Sequence, residues 1–578
     1  MQAGLSAQRL FPFTFRPHLS PLPLPRFTFQ TLRAIKPSKP YSNPNLGFRC
    51  ESTMVSSPPP PIMVKDKIDL TEKERQIFDR LLEVVRHFNL RTQLRVAGGW
   101  VRDKLLGREC HDIDIALDDM KGEEFCDKVN EYCLYIGQEE NKIGVIRSNP
   151  DQSKHLETAR IRLFDMWIDF VNLRSESYCE NSRIPTMQFG TAEEDAYRRD
   201  LTINSLFYNI NKELIEDFTN RGISDLKGGR IVTPLPPKDT FLDDPLRVLR
   251  AIRFGARFEF VLDEELKKAA VCNEVKVAIS KKISRERIGL EIDLMVSGNQ
   301  PSKAMGCICE LELFWIVFSL PHNFEPVVPE GYDRFCFGYM DAAWDLLQHI
   351  GCQSFNEDQK RLYLYGALFL PLRKFVYLNN KAKKVPLVNH IFGDSLKLKA
   401  SDAKTVVSLH DASEKFLSLI PFLMTNKDIE KVEDGFTSTN LDVPMTSRCR
   451  IMTGLLLREI KGFWRVALLM STLIYQKDYD QIEAFSNNCV ELQKSEAVYR
   501  MVEKIIIESG LENVWVLKPL LDGNDIKDVL QLKNGGPLVK EWQNKLWEWQ
   551  LAYPSGTRDE CLDWMRSSHS KRVKLTES

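Results

Sequence analysis

Two aspartates that alternate with isoleucines, Asp112 and Asp114, have the clearest catalytic potential in this sequence. On a β-strand they would project from one face about 7 Å apart at Cα, while Ile113 and Ile115 would face the core. Two carboxylates converging in this way can hold a pair of Mg²⁺ ions roughly 4 Å apart. One ion would lower the pKa of an attacking hydroxyl and the other would neutralise a leaving pyrophosphate. The pair therefore predicts in-line nucleotidyl transfer from a nucleoside triphosphate.

A glycine turn precedes the acidic pair. Gly98 and Gly99 follow the strand-like segment Leu94–Ala97 and lead into a short helix predicted over residues 100–106. Glycines let the backbone approach a ligand closely, and a helix start offers unpaired N–H groups to phosphate. Arg102 lies one turn into the helix, and its guanidinium would bind the same phosphates through two parallel hydrogen bonds. An acidic pair alternating with isoleucines is also typical of an ordinary amphipathic strand, but its coupling to this turn favours a metal site.

Two other residues bear on the metal site. His111 stands beside Asp112, which is compatible with a metal phosphohydrolase, but no further histidine is near in the sequence and we expect a structural role. Asp169 lies in a strand-like segment with Trp167 and Val171 on the same face. It is our candidate for a third carboxylate, and an ordinary solvent-facing strand residue is the alternative.

A second pair of residues is suited to reading a base. Asp244 is followed by Pro245, a pairing typical of a helix start, so Asp244 and Arg247 would lie one turn apart on one face. A carboxylate accepts from an exocyclic amino group, and a guanidinium donates to a ring nitrogen. Cytosine and adenine both present an amino donor beside a ring acceptor, whereas guanine and uracil present a carbonyl beside a ring N–H. The pair therefore predicts selection of C and A without a nucleic-acid template.

An arginine stripe continues from the base-reading pair. Arg250 and Arg253 follow Arg247 at three-residue spacing, which places all three guanidinium groups on neighbouring parts of a helix surface. Such a stripe is suited to a triphosphate. A solvated basic face is the alternative.

These motifs, continued by residues 198–205, 243–247 and 284–287, resemble those of the eukaryotic and bacterial (class II) CCA-adding tRNA nucleotidyltransferases, within the poly(A) polymerase superfamily. The motifs occur in the family's order and cover residues 90–297. Residues 521–525 and 535–537 resemble the family more weakly. We expect the helix that begins at residue 284 to brace the base-reading helix.

The resemblance implies a function, a fold and further site residues. It implies a Mg²⁺-dependent enzyme, using two ions, that adds C, C and A to tRNA 3′ ends from CTP and ATP. It also implies a polymerase-β-like nucleotidyltransferase head, and a body and tail that recognise folded tRNA by shape. By the same resemblance Arg199 contacts the nucleotide and Asp200 the ribose hydroxyl. We expect a monomer.

Two other functions remain open on the sequence. A poly(A) polymerase of the same superfamily would share the head and much of the base-reading helix. A non-catalytic RNA-binding protein with a relic head is the alternative from another class. The four intact residues Asp112, Asp114, Asp244 and Arg247 argue against a relic.

The elements predicted around these residues define an α+β fold. A helix should begin after Thr71, since Thr71 and Glu74 have capping-box spacing. Strand-like segments follow at residues 94–97, 113–117, 143–147, 158–164 and 166–173, and from Asp244 onward the periodicity is helical. The predicted organisation is a mixed-sheet head followed by an all-α remainder: a presequence at 1–64, the head at 65–235, a neck at 236–300, a body at 301–425 and a tRNA-binding tail at 426–578. Clustered tail tryptophans, including Trp542, indicate helical core packing more than RNA stacking.

Length and composition limit the classes of protein that this sequence can form. With about 100–200 residues per domain, 578 residues imply three to five packing units. Hydrophobic residues at 43% and charged residues at 28% exclude wholesale disorder. The longest apolar stretches fall short of the roughly 20 residues that a bilayer span needs, so we predict no membrane partner. Thirteen irregularly spaced cysteines indicate reduced thiols.

The N-terminal charge pattern indicates targeting. Residues 1–50 contain seven Lys/Arg and no Asp or Glu, and with those seven set aside the formal charge of −1 becomes −8 for residues 51–578. Acid depletion over residues 1–64 predicts a transit peptide for the mitochondrion, the chloroplast or both, with a plain disordered tail as the alternative. Starts at Met54 or Met63 would bypass it and leave the protein in the cytosol or nucleus. A chain this acidic binds nucleic acid only through a localised basic surface.

Overall fold

The computed structural model describes residues 63–577 except 147–157, 178–185, 323, 326, 380, 426–446 and 476–488. Residues 1–62, which hold most of the predicted presequence, lie outside this set. Across the described ranges, no helix combines the length and the apolar character that a bilayer crossing needs.

A mixed sheet with helices forms the head, as predicted. Its strands are β1 (Leu94–Ala97), β2 (Ile113–Leu117), β3 (Ile143–Ile146), β4 (Thr158–Leu163), β5 (Met166–Asn172), β6 (Arg174–Ser177), β7 (Thr186–Phe189), β8 (Phe207–Asn209), β9 (Leu214–Glu216) and β10 (Arg230–Ile231). Its helices are α1 (Glu72–His87), α2 (Gly99–Leu105), α3 (Gly122–Tyr135), α4 (Ala192–Tyr197) and α5 (Gly222–Lys227). The predicted capping box is present: the Glu74 amide donates to Thr71 Oγ1 over 3.3 Å, and the Thr71 amide donates to Glu74 Oε2 over 2.7 Å.

Seven strands make one sheet in the order β3-β4-β5-β2-β1-β8-β9. The pair β2 and β5 is parallel, and the other neighbouring pairs are antiparallel. The parallel register places Asp114 directly opposite Asp169. The alternate residues of these strands, such as Ile113 and Ile168, are buried in the main hydrophobic core. The polar residues therefore share the opposite face of the sheet.

Helices dominate the chain after the head. They are α6 (Pro237–Asp243), α7 (Leu246–Phe258), α8 (Glu264–Val271), α9 (Asn273–Lys282), α10 (Arg285–Val296), α11 (Pro301–Glu310), α12 (Phe314–Val317), α13 (Tyr332–Ile350), α14 (Glu357–Leu368), α15 (Leu387–His390), α16 (Ala400–Thr425), α17 (Arg448–Ile460), α18 (Trp464–Ile474), α19 (Cys489–Glu508), α20 (Gly523–Leu530), α21 (Pro537–Ala552) and α22 (Arg558–Glu577). Short strands also occur at β11 (Val261–Leu262), β12 (Val376–Leu378) and β13 (Lys384–Pro386). Strands of two or three residues are too short to show an alternating pattern, so the sequence did not predict them.

The helix predicted at Asp244 begins slightly later. Helix α7 starts at Leu246, with Pro245 as its N-cap residue, and Asp244 directly follows α6. Asp244 Oδ1 still accepts from the Leu246 amide over 3.2 Å, so the carboxylate satisfies an N–H group of the first turn as a capping residue does.

Candidate active site

Three carboxylates converge on the polar face of the sheet. The ligand oxygens of Asp112, Asp114 and Asp169 all lie within 4.8 Å of one another. Strand β2 supplies Asp114, strand β5 supplies Asp169, and Asp112 directly precedes β2. The candidate third carboxylate is therefore brought to the predicted pair by the parallel register of two strands that are distant in sequence.

The electrostatics of these carboxylates suit a divalent cation. Burial, together with the nearby charges of Asp112 and Asp169, raises the pKa of Asp114 to about 6. Arg160 offsets part of the negative charge through a bidentate ion pair with Asp169, in which Nη2 lies 2.6 Å from Oδ2. Three carboxylates supply hard oxygen ligands, which Mg²⁺ prefers. The donor set fits the predicted metal site.

The glycine turn makes room for an arginine. Gly98 has φ of +68°, and a Cβ added there would lie 2.7 Å from Arg199 Nη1. Because only glycine takes that backbone conformation without strain and leaves that space, the turn lets the Arg199 guanidinium lie against the backbone. Neither Gly98 nor Gly99 lines the cavity described below, whose wall is formed at this point by Ala97.

Arg102 is buried and does not reach the cavity. Its Nε donates to Asp103 Oδ1 over 2.8 Å, its Nη1 donates to Asn204 Oδ1, and its guanidinium lies over the Phe258 ring at 4.6 Å. Its side chain is 4% exposed. The predicted phosphate contact of Arg102 is therefore not supported by its position. Helical spacing placed it near the turn, but the neighbouring carboxylate and aromatic rings hold it inside the protein.

A buried aspartate orients two arginines at the end of α4. Asp195, 1% exposed, accepts from Arg198 Nε over 2.8 Å and from Arg199 Nη2 over 2.8 Å. Burial alone would raise the pKa of Asp195, but the two guanidinium groups outweigh burial and hold it below its usual value. Both arginines line the cavity.

A chain of ion pairs joins the head to the helices that follow. Asp200 Oδ2 accepts from Arg250 Nε over 2.7 Å, and Glu291 of α10 accepts from Arg253 Nε over 2.6 Å. Arg250 Nη1 lies 3.8 Å from Glu291 Oε1. Burial opposes ionisation of Asp200, but Arg250 and a hydrogen bond from Asn204 hold its pKa well below its usual range. Helix α10 thus braces α7, as predicted.

The base-reading pair is held from both sides. Arg287 Nη2 donates to Asp244 Oδ2 over 3.1 Å, and Arg247 Nη2 donates to the Arg198 carbonyl over 2.6 Å. Asp244 therefore keeps a fixed carboxylate plane, because its two oxygens have partners from different elements. Arg247 is tied to the end of α4, which also carries Arg199.

Most of the predicted site residues line one cavity of about 440 Å³. Asp114 and Asp169 line it together with the predicted residues Arg199, Asp200, Asp244, Arg247 and Arg250. Two of the three carboxylates and the base-reading pair therefore face the same space, whereas Asp112, the exposed member of the cluster, is not among the lining residues. Arg253 does not line it, because its guanidinium is turned towards Glu291, and it borders a separate smaller cavity.

Sequence reasoning missed three cationic residues of this cavity. Arg174, Arg198 and Arg287 line it. Arg198 stands beside Arg199, and Arg287 belongs to the segment that we interpreted as a brace, so both could have been found as positively charged neighbours of assigned residues. Arg174 follows β5 by two residues and had no distinguishing signal.

Comparison with known proteins agrees with this architecture. Residues 94–232 match the family model of the poly A polymerase head domain. The chain is 34% identical over 542 residues to the mitochondrial CCA tRNA nucleotidyltransferase of Saccharomyces cerevisiae, covering 87% of this chain and 94% of that protein. The Candida glabrata protein of the same name is 33% identical over 540 residues, covering 87% and 96%. The structure of the Bacillus stearothermophilus CCA-adding enzyme in complex with CTP has the same fold, with a TM-score of 0.57 at 16% identity over 88% of this chain and 100% of that one.

A mixed-sheet head with converging carboxylates, followed by helices that close a cavity over them, defines a nucleotidyltransferase. The similarity in sequence extends far beyond the head to most of the chain. The chain belongs to the CCA tRNA nucleotidyltransferase family.

Proposed function

We propose that this protein adds C, C and A to tRNA 3′ ends from CTP and ATP and releases pyrophosphate. The observation that carries the proposal is the shared cavity: carboxylates suited to nucleotidyl transfer and a pair suited to reading C and A line one space of about 440 Å³. Two relatives similar over most of their length are named CCA tRNA nucleotidyltransferases, which supports the same substrate.

The acidic cluster fits a pair of Mg²⁺ ions, with Asp112, Asp114 and Asp169 as the residues that would hold them. Bound divalent cations lower the pKa of an attacking hydroxyl and neutralise charge on a leaving pyrophosphate. The protein's own contribution is orientation. The adjacent strands fix Asp114 and Asp169 opposite each other, and Arg160 fixes the carboxylate plane of Asp169.

Base selection is assigned to Asp244 and Arg247. A carboxylate that accepts from an amino group and a guanidinium that donates to a ring acceptor fit cytosine and adenine. Guanine and uracil would set a carbonyl against the carboxylate and an N–H against the guanidinium. Each bidentate contact discriminates by about 1–3 kcal/mol.

Triphosphate binding is assigned to the arginines at the cavity wall. Four arginines supply positive charge there: Arg174, Arg198, Arg199 and Arg287. Asp195 orients Arg198 and Arg199. Asp200 faces the same cavity and is our ribose candidate by family resemblance. Arg250 contacts Asp200 directly and so positions it.

Localisation and assembly follow as parts of the proposal. The acid-poor N-terminal segment is proposed to direct import into mitochondria, in line with the names of the two yeast relatives. Chloroplast import, and cytosolic or nuclear forms from Met54 or Met63, remain predictions. We propose that the enzyme acts as a monomer on tRNA.

Purified protein incubated with tRNA lacking its terminus, and with each triphosphate alone or in pairs, tests the function. The proposal expects two C residues from CTP alone and a completed CCA end when ATP is added. Long tails from ATP alone would instead identify a poly(A) polymerase, the alternative that would share the matched head domain. Binding of tRNA without any incorporation would identify a non-catalytic RNA-binding protein.

A further inference from the structure

The polar face of the sheet continues beyond the carboxylates towards the outer strands. There it carries Arg160 and Arg162 of β4 and Trp167 of β5, which we call the β4–β5 strip. Arg160 is paired with Asp169 across the two strands, and Arg162 with Trp167. Directly paired residues point to the same side of a sheet, so the strip and Asp169 share one face.

The strip is exposed and combines an aromatic ring with positive charge. Trp167 is 47% exposed, and the side chains of Arg160 and Arg162 are 42% and 54% exposed. The Arg160 guanidinium lies 5.8 Å from the Trp167 ring centroid. Arg162 is paired with Asp165 over 3.3 Å, but Asp165 is 79% exposed. A pair this solvated is worth little, so it can be exchanged for a phosphate at small cost.

The carboxylates separate the strip from the nucleotide cavity. On β5, Val171 and Asn172 line the cavity, Asp169 follows, and Trp167 lies beyond it, outside the cavity lining. On β4, Thr158 lines the cavity whereas Arg160 and Arg162 do not. Moving along β5 therefore leads from the cavity past Asp169 to Trp167, and moving along β4 leads from the cavity to Arg160 and Arg162.

Nucleotidyl transfer requires the attacking and leaving oxygens to lie roughly in line on opposite sides of the phosphorus. With the triphosphate in the cavity, the attacking hydroxyl must approach the phosphorus from the side opposite the leaving pyrophosphate. The strip offers the only exposed combination of an aromatic ring and cations continuous with Asp169 that we find on the described part of this sheet face. Its position fits the second substrate.

We propose that the β4–β5 strip binds the single-stranded 3′ end of the RNA that is extended, with Trp167 stacking on a base and Arg162 contacting a backbone phosphate. Arg160, the strip residue that pairs with Asp169, links the strip to the carboxylates. Stacking on an aromatic ring tolerates any base, which suits a primer whose last nucleotide changes from one addition to the next. This inference rests on the proposed function, since it needs an RNA primer.

The test compares W167A, W167F and R162A with the wild type. Y135A is the matched control, because Tyr135 is an exposed aromatic residue of α3, outside the strip. The measurements are kcat and KM for tRNA lacking its terminus at saturating CTP, and Kd for CTP without RNA. We expect W167A to raise the KM for tRNA about tenfold, with W167F close to wild type. We expect R162A to raise the same KM and to reduce the slope of log KM against log salt by about 0.7.

The split between parameters separates this role from a structural one. A shifted Asp169 would lower kcat at saturating tRNA, whereas loss of primer contact raises KM and leaves kcat and the Kd for CTP unchanged. Wild-type KM values for W167A and R162A, or a fall in kcat alone, would overturn the inference, and a protein-docking role for the strip would give the first of these results. The proposed function fails separately, if the wild-type protein itself extends no tRNA.

Discussion

At the scale of single residues, Asp114 shows how position sets chemistry. Its side chain is half-buried, and burial together with the charges of Asp112 and Asp169 raises its pKa to about 6. Such a cluster is unfavourable unless a cation shares it. The arrangement is therefore best understood as one built to hold positive charge, with Arg160 as the cation that the chain itself supplies.

The first prediction concerns this cluster. The double variant D112A/D114A should lower the rate of CMP incorporation at least 1000-fold, the scale associated with removing a preorganised electrostatic group from an active site. Binding of tRNA should stay near wild type, because these residues are proposed to hold the metal and not the folded RNA. Single-turnover incorporation and a filter-binding assay measure the two quantities. D127A, at an exposed aspartate of α3, is the control, and surviving activity in the double variant would refute the metal assignment.

The second prediction concerns base choice. D244A should reduce the ratio of kcat/KM for CTP over UTP by about 5- to 150-fold, since one bidentate contact discriminates by about 1–3 kcal/mol. The Kd for pyrophosphate should change little, because the arginines of the cavity wall remain. D239A, an exposed aspartate on α6, serves as the control. An unchanged CTP/UTP ratio in D244A would show that another group reads the base.

Residue types and spacing identified much of this site but not its contacts. Asp112 and Asp114 were predictable because two residues on one strand face are related by local geometry alone. Asp169 joins them through a parallel register between β2 and β5, which no local pattern encodes. Arg102 and Arg253 were assigned to phosphate from helical spacing, but spacing fixes a face and not its neighbours, and each is held by a carboxylate instead.

At the scale of elements, the turn between β1 and α2 acts through Arg199. Gly98 and Gly137 both have positive φ, at +68° and +76°, but only Gly98 faces an obstacle to a Cβ. G98A and G137A should therefore both lose about 1–2 kcal/mol of unfolding free energy from backbone strain. Only G98A should also weaken CTP binding, by about tenfold, because its methyl group displaces a charged hydrogen-bond donor of the cavity wall. Thermal unfolding and equilibrium CTP binding should be measured for both variants. Equal CTP affinities of G98A and G137A would contradict the role given to Gly98.

The order of elements was predictable from periodicity, and their exact ends were less so. Helix α1 starts where its capping box predicts, because the cap is a local interaction between Thr71 and Glu74. Helix α7 starts at Leu246 and not at Asp244, because the backbone of Asp244 forms the C-cap of α6. The strands β12 and β13 form a pair with each other, a partnership that their three-residue sequences do not reveal.

At the scale of the whole molecule, the C-terminal helices have a hydrophobic core of their own. Trp542, 1% exposed, packs with residues of α20 and α22 in a cluster distinct from the main core. W542A should cost about 3–5 kcal/mol, which is comparable to all that a small core supplies. Hydrogen exchange should then show lost protection over residues 520–565 only, with CTP affinity unchanged. L538A, at a partly exposed residue of the same helix, is the control, and loss of protection in the head would contradict the prediction.

The helical body should give the protein an acid-sensitive stability. His410 of α16 is buried and donates from Nε2 to the Gly366 carbonyl of α14 over 2.7 Å. Burial lowers the pKa of His410 to about 4, with smaller opposing effects from the Gly366 hydrogen bond and Glu414 and a further lowering by Arg373. Between pH 6.5 and 4 the unfolded chain therefore binds a proton that the folded chain does not, so the unfolding free energy falls as the pH falls.

The size of that effect follows from the pKa difference. Between pH 7 and 5 the histidine should remove about 2 kcal/mol from the unfolding free energy. In H410Q this part of the pH dependence should be absent, whatever the variant's stability at pH 7. Urea unfolding of both proteins at pH 7 and pH 5 gives the comparison. Parallel pH profiles would show that the pKa of His410 is the same in the folded and unfolded protein.

The chain of charges from Asp200 through Arg250 to Glu291 has a consequence for protein engineering. Consider a chimaera that takes the head from one relative and the helices after residue 235 from another. Its residues at the positions of Asp200 and Arg250 would then come from different proteins. If either partner were lost, the remaining buried charge would cost about 3–5 kcal/mol. A junction after Val296 transfers the donor and acceptor groups as one block. Exchange of substrate preference between relatives should therefore succeed at that later junction and fail at the earlier one.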